Sequence, residues 1–191
     1  MINVSILGFG TVGSGVYQII NENNKELEAS TGKKIRVKSI LDSKKSINPE
    51  IADILAKDFE EIENDEEVSV KRSLLKGKNV VTSNKALVEM YGSELLRIAK
   101  EKDVSFLFEA SVGGGIPVLR TIGDAFAGEV IKEIDGILNG TTNYILTCMT
   151  EDGQSFEEAL LKAQELGYAE RDPEADIEGH DTGRKIAILS S

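Results

Sequence analysis

Hydrophobic positions in the first 110 residues switch repeatedly between a period of two and a helical period. Ile2 to Leu7 is a short, mostly apolar run that ends in glycines, and the stretch from Ser14 to Glu22 carries Val16, Ile19 and Ile20 at helical spacing. This predicts strand, glycine turn and helix. A second β-rich run, Ile35 to Leu41, follows a polar linker. Strand–helix–strand is the minimal crossover unit, closed right-handed in nearly all cases. Residues 50–67 have helical composition and crowd seven acids together, Asp58, Glu60, Glu61, Glu63, Asp65, Glu66 and Glu67, which is the pattern of a solvated face and carries no chemistry. The pattern then predicts a strand over Asn79–Thr82, a helix over Ala86–Glu101 with Leu87, Met90, Leu95 and Ile98 on one stripe, and a strand over Val104–Phe108. Alternating β and α elements predict an α/β fold, with a parallel sheet covered by helices on both faces.

Beyond Phe108 the character changes. Ser111-Val112-Gly113-Gly114-Gly115-Ile116-Pro117 reads as a flexible loop entering a helix over Pro117–Phe126. Lys132–Leu138 reads as a strand. Helices are expected from Thr141, from Ser155 and from about Asp176. Ser155-Phe156-Glu157-Glu158 has the form of a capping box, and Gly167 ends the helix that follows. The shift from βα alternation to helices places a domain boundary near residue 130. The last residues, Lys185 to Ser191, continue an apolar helical pattern without a stop signal.

Composition narrows the possible partners. The 191 residues carry 33 acids against 22 bases, a net charge of −11, so a nucleic-acid backbone or an anionic membrane surface is repelled on average. One cysteine, Cys148, excludes an intramolecular disulfide, and one histidine leaves no structural zinc set. With no apolar run near the ~20 residues of a membrane span and no basic leader at the start, a reducing cytoplasm is expected.

The first candidate chemistry is Gly8-Phe9-Gly10-Thr11-Val12-Gly13, a G-x-G-x-x-G directly after a strand and opening a helix. In that setting the first glycine permits the turn, the second lets backbone approach a pyrophosphate, and the third allows close helix–strand packing. Residues 1–130 are therefore expected to form a Rossmann-type dinucleotide-binding domain. Asp42, at the end of the second strand, suits the ribose hydroxyls of NAD. Ser43, Lys44 and Lys45 suit the extra phosphate of NADP, and the choice stays open.

Five blocks stand in a telling order: Gly8 to Gly13; Val81-Thr82-Ser83-Asn84-Lys85; Phe108 to Pro117; Leu138-Asn139-Gly140-Thr141-Thr142-Asn143-Tyr144; and Gly167 to Pro173, continuing through Asp181 and Lys185. Together they resemble homoserine dehydrogenase. The resemblance implies NAD(P)-dependent interconversion of L-homoserine and L-aspartate 4-semialdehyde, a step toward threonine and methionine. It implies that Ser83 and Lys85 lie beside the cofactor and that Lys85, Glu170 and Asp181 bind the amino acid. Lys185 is then the proton donor and acceptor at the hydroxyl oxygen, with Lys85 and Asp181 in the catalytic group. Main-chain carbonyls of Glu109, Val112, Gly114 and Ile116 are implied to hold a monovalent cation, typically sodium. Members of the family run well past this length, so residues 131–191 are expected to begin a substrate and dimerisation domain whose remainder is missing, and the complete protein is expected to be a homodimer.

The roles agree with elementary chemistry. Hydride transfer develops negative charge on a carbonyl oxygen, which an ammonium both stabilises and protonates. Other readings remain for single residues. Asp181 and Lys185 are also spaced as an i,i+4 surface ion pair, and Asn139-Gly140-Thr141-Thr142 is also a plain turn and helix cap. Lys85 at a helix start is a cation at the positive pole, a placement that favours function. His180 and Cys148 are assigned no role. A dinucleotide-binding fragment without catalysis, and a dehydrogenase of another aspartate-derived substrate, are the competing readings.

Overall fold

The structure is a computed structural model that describes residues 1–42, 54–55 and 66–191. Ser43, Lys44, Lys45 and the acidic residues from Asp58 to Asp65 lie outside the described residues. The chain forms two compact units, Met1–Asn64 and Asp65–Ser191.

In the first unit, β1 (Ile2–Leu7) leads through the glycine turn into α1 (Thr11–Glu22). Then follow α2 (Asn24–Thr31) and β2 (Ile35–Leu41), both strands with the bounds that their apolar patterns predict. The strands pair in parallel from Ile2–Ile35 to Leu7–Leu41, with a one-residue irregularity after Val4. Buried Ile6 and Ile40 form the centre, and Val4, Phe9, Tyr17, Val37, Ile54 and Leu55 pack round them.

The second unit opens with α3 (Glu66–Leu75) and continues through β3 (Val80–Val81), α4 (Lys85–Glu101) and β4 (Phe106–Leu107). β3 and β4 are parallel, so all strand pairing among the described residues is parallel and the architecture is α/β. The amphipathic stripe of α4 supplies Leu87, Val88, Leu95, Ile98 and Ala99 to the main core, where α3 adds Val70 and Leu74 and the chain end adds Ile188 and Leu189. Met90, expected on the same stripe, instead lies 64% exposed, because the buried face runs through Val88 and Ala99 rather than through position 90.

A short 3₁₀ turn (Glu109–Ser111) precedes α5 (Val118–Arg120), which widens into a π-helical turn over Thr121–Ala125, much as the Pro117–Phe126 pattern predicts. Then come α6 (Gly140–Glu151), α7 (Phe156–Glu165), α8 (Glu174–Ile177) and α9 (His180–Leu189). Ser155 makes the expected capping box with Glu158. The single helix expected from Asp176 is split in two, because Gly179 adopts a left-handed φ of +76° between α8 and α9.

A second expectation fails. Lys132–Leu138 is not a strand, although Ile134 and Leu138 pack on the main core. A strand exists only through its ladder, and no described segment pairs with this one. No described helix is long and apolar enough to cross a membrane.

Leu95 is fully buried at the centre of the main core. Leu95→Ala is therefore expected to lower the unfolding free energy by about 2–5 kcal/mol; a loss below about 1 kcal/mol in denaturant titration would contradict this packing.

Candidate functional site

Each unit carries one candidate centre. In the first, Gly8 takes φ +86° as the chain leaves β1, and Gly8 N–H donates to the Leu41 carbonyl at 2.7 Å. A Cβ on Gly13 would stand 2.0 Å from the Gly8 carbonyl oxygen and 3.1 Å from Ile6, so only glycine lets α1 approach β1 this closely. A Cβ on Gly10 meets nothing within 4 Å, which leaves the face of the turn open in front of α1. Gly10 is the N-cap of α1, and no side chain caps the helix. The amides of Thr11, Val12 and Gly13 therefore keep their donors for an anion. Asp42 follows β2 directly, and one of its carboxylate oxygens accepts the Phe9 N–H at 2.7 Å, tying the turn to the second strand. The sequence suggests Asp42 for a ribose but does not reveal that its carboxylate braces the turn.

In the second unit the residues separated most widely in sequence meet. Asn84 caps α4 by accepting the Leu87 N–H at 3.0 Å, which sets Lys85 at the first helical position. The Lys85 ammonium donates to Oδ1 of Asp181, in the first turn of α9. One turn further along α9, Lys185 Nζ reaches Oδ2 of the same carboxylate at 2.7 Å. Lys185 also donates to the Leu138 carbonyl at 2.5 Å, and Asn139 Nδ2 donates to Asp181 Oδ2 at 3.1 Å. The Asp181 and Lys185 side chains are only 17% and 19% exposed, so this i,i+4 pair is not a solvated surface bridge.

Burial alone would push the Asp181 carboxyl up, but hydrogen bonds from Lys185, Lys85 and Asn139 outweigh it and bring it down to about 2. Both ammoniums also line a cavity of about 580 Å³, with Ser83, Ser111, the Gly113–Gly114 backbone, Ile116, Ile137 and Leu138. The polar wall carries two cations that share one anion, and the facing wall is largely apolar. Such a pocket stabilises a developing oxyanion and can give or take its proton.

Glu170 does not join this cluster directly. Its carboxylate is exposed and makes no side-chain bond among the described residues, while its main-chain carbonyl accepts from Gln164 Nε2 at 3.0 Å. The backbone just before it is anchored to the start of α6, because Thr141 Oγ1 donates to the Tyr168 carbonyl at 2.7 Å. In the loop over 109–117, the Glu109 carboxylate accepts the N–H groups of Leu119 and Arg120, each at 2.9 Å, and the Ile116 carbonyl accepts from Val118 at 2.8 Å. Among the described residues no group of three or more acidic, histidine or cysteine side chains could hold a metal ion. Asp176, which accepts from Asn139 Nδ2 at 2.7 Å, is the cluster residue that motif reading passed over. Its only sequence signal is a spacing of five from Asp181, which Gly179 disguises.

Residues 117–191 match the family model described as homoserine dehydrogenase. Homoserine dehydrogenase of Lactococcus lactis is 40% identical over 99% of this chain and 49% of its own length. A solved structure from Archaeoglobus fulgidus bearing the same enzyme name superposes with a TM-score of 0.85, at 33% identity, over 100% of this chain and 68% of that one. The chain belongs to the homoserine dehydrogenase family. A further homoserine dehydrogenase, from a hyperthermophilic archaeon and solved in complex with NADPH, superposes at 0.72 with 29% identity, over 98% of this chain and 68% of that one. The chain spans about half the length of the curated homoserine dehydrogenases it matches.

Two outcomes test these centres. Gly13→Ala is expected to unfold the first unit, whereas Gly10→Ala leaves the circular dichroism spectrum unchanged; equal tolerance of both would contradict the close approach at Gly13. Asp181 ionises more readily folded than unfolded, so its contribution to stability is complete above about pH 4 and is lost as the pH falls toward about 2. The gap in unfolding free energy between wild type and Asp181→Asn is expected to shrink by about 2 kcal/mol from pH 5 to pH 2. A gap that stays constant over that range would contradict the shared ion pair.

Proposed function

We propose that this chain provides the nucleotide-binding and proton-handling parts of an NAD(P)-dependent oxidoreductase that interconverts L-homoserine and L-aspartate 4-semialdehyde. The observation that carries this reading is the Asp181 carboxylate shared by Lys85 and Lys185 at the wall of one cavity. Residues 1–130 serve as the dinucleotide domain and 131–191 as the start of the substrate domain. The open Gly10 face, the uncapped start of α1 and Asp42 fit a dinucleotide: amides for the diphosphate, a carboxylate for the ribose. When bound, NAD(P) supplies or accepts the hydride.

The remaining chemistry belongs to the side chains. As the alcohol is oxidised, its carbon loses hydride and its hydroxyl proton passes to the Lys185 amine, which must first have released its own third proton to solvent; in reduction the Lys185 ammonium gives that proton to the oxygen. Lys85 stabilises the oxygen's developing charge. Because both oxygens of Asp181 are engaged by lysines, it serves first to aim the two ammoniums. Glu170, exposed and unengaged among the described residues, is the carboxylate for the substrate's α-ammonium. The neutral carbonyls of Glu109, Val112, Gly114 and Ile116 suit a singly charged cation, as the family resemblance suggests. A soluble homodimer in the cytoplasm is the matching form of the complete protein.

In the complete polypeptide, Lys185→Ala is expected to lower kcat for homoserine oxidation by about 10²- to 10⁴-fold while the Kd for NADPH changes less than about twofold. Glu170→Gln should instead raise the homoserine KM by about one to two orders of magnitude, the worth of a charge-assisted pair. Equal losses of turnover and cofactor affinity in Lys185→Ala would refute its role, and absence of any homoserine turnover would refute the reaction.

A further inference from the structure

The polar residue that ties the proton-handling cluster to the backbone is Asn139. It is only 6% exposed and uses its whole side chain. Oδ1 accepts from the backbone N–H of Thr142 at 2.8 Å and caps α6, while Nδ2 spends its two protons on Asp176 Oδ1, at 2.7 Å, and Asp181 Oδ2, at 3.1 Å. The orientation of the amide is forced: reversed, its oxygen would face two carboxylates and its NH₂ would face an N–H donor. The preceding residue supplies the Leu138 carbonyl to Lys185, so two consecutive residues deliver an acceptor to the lysine and a donor to its partner acid.

We infer that Asn139 is a positioning residue, acting through Asp181 to fix where the Lys85 and Lys185 ammoniums point into the cavity. The inference rests on the proposed role of these lysines. A helix cap requires only the Oδ1 acceptor, which serine or aspartate provides equally well. The amide donors do something a cap does not. They pin Asp181 Oδ2 against rotation about the side-chain bond, and they place two N–H dipoles between Asp176 and Asp181, whose negative charges would otherwise face each other. The charged groups around Asp181 are Lys85 from α4, Lys185 from its own helix, and Asp176 from α8 across the Asn139 amide.

Variants that keep the cap and remove the donors separate the two roles. In the full chain, the Asp181 ¹³Cγ resonance of wild type is expected to titrate near pH 2. Its midpoint should rise by about half a pH unit or more in Asn139→Ser, and further in Asn139→Asp, which adds a like charge. The wild-type Asn139 side-chain amide resonances should move together with that titration, a readout that needs no variant to fold. In the complete polypeptide, Asn139→Ser is expected to reduce kcat for homoserine at least about tenfold with the NADPH Kd unchanged. Identical Asp181 midpoints in wild type and Asn139→Ser, or wild-type amide resonances that ignore the titration, would reduce Asn139 to a helix cap and overturn the inference. Should homoserine prove not to be a substrate, the two resonance measurements still decide the case for Asn139, so the failures are distinguishable.

Discussion

One carboxylate between two ammoniums organises the polar cluster of the second unit. Two lysines placed together at a half-buried cavity wall repel each other, and desolvation penalises each charge. Asp181 resolves both costs by taking Lys85 on one oxygen and Lys185 on the other. The surrounding fold serves that arrangement. The Asn84 cap starts α4 at Lys85, Gly179 breaks the chain so that α9 starts at His180 with Asp181 in its first turn, and one helical turn separates Asp181 from Lys185. The apolar stripe of α4 and the buried end of α9 join the same core, which holds the two helices in contact.

The first unit solves a different problem, keeping backbone amides open where a helix packs tightly on a strand. Its answer relies on missing side chains: no Cβ at Gly13, where α1 packs against the turn, and none at Gly10, where the face stays open. The bond from Phe9 to Asp42 makes the turn depend on the second strand, so the acid proposed for the ribose is also part of the scaffold. Under the proposed function, dinucleotide affinity and stability of this unit are therefore coupled through Asp42.

Local patterns were legible in the sequence where a local interaction decides the structure. The apolar runs of β1 and β2, the glycine spacing, the stripe of α4 and the Ser155 capping box all express short-range physics, and the structure reproduces them except at Met90, which lies off the buried face of α4. The pairing of Lys85 with Asp181 spans 96 positions and has no periodic signature; it was legible only as part of a family likeness. Lys132–Leu138 shows the opposite failure, since Ile134, Ile137 and Leu138 suggest a strand while the ladder it needs is not among the described residues. Asn139 looked like a turn residue because capping is the half of its work that local sequence reveals. Its other bonds reach residues 37 and 42 positions away.

A crystal structure of the complete polypeptide with L-homoserine bound is the most direct measurement of the central claim. The account requires the side-chain hydroxyl oxygen to lie within hydrogen-bond reach, about 2.6–3.2 Å, of Lys185 Nζ, with Lys85 and Lys185 both still paired to Asp181. A hydroxyl bound away from both lysines, or an Asp181 that releases them to grip the substrate's amine, would contradict it.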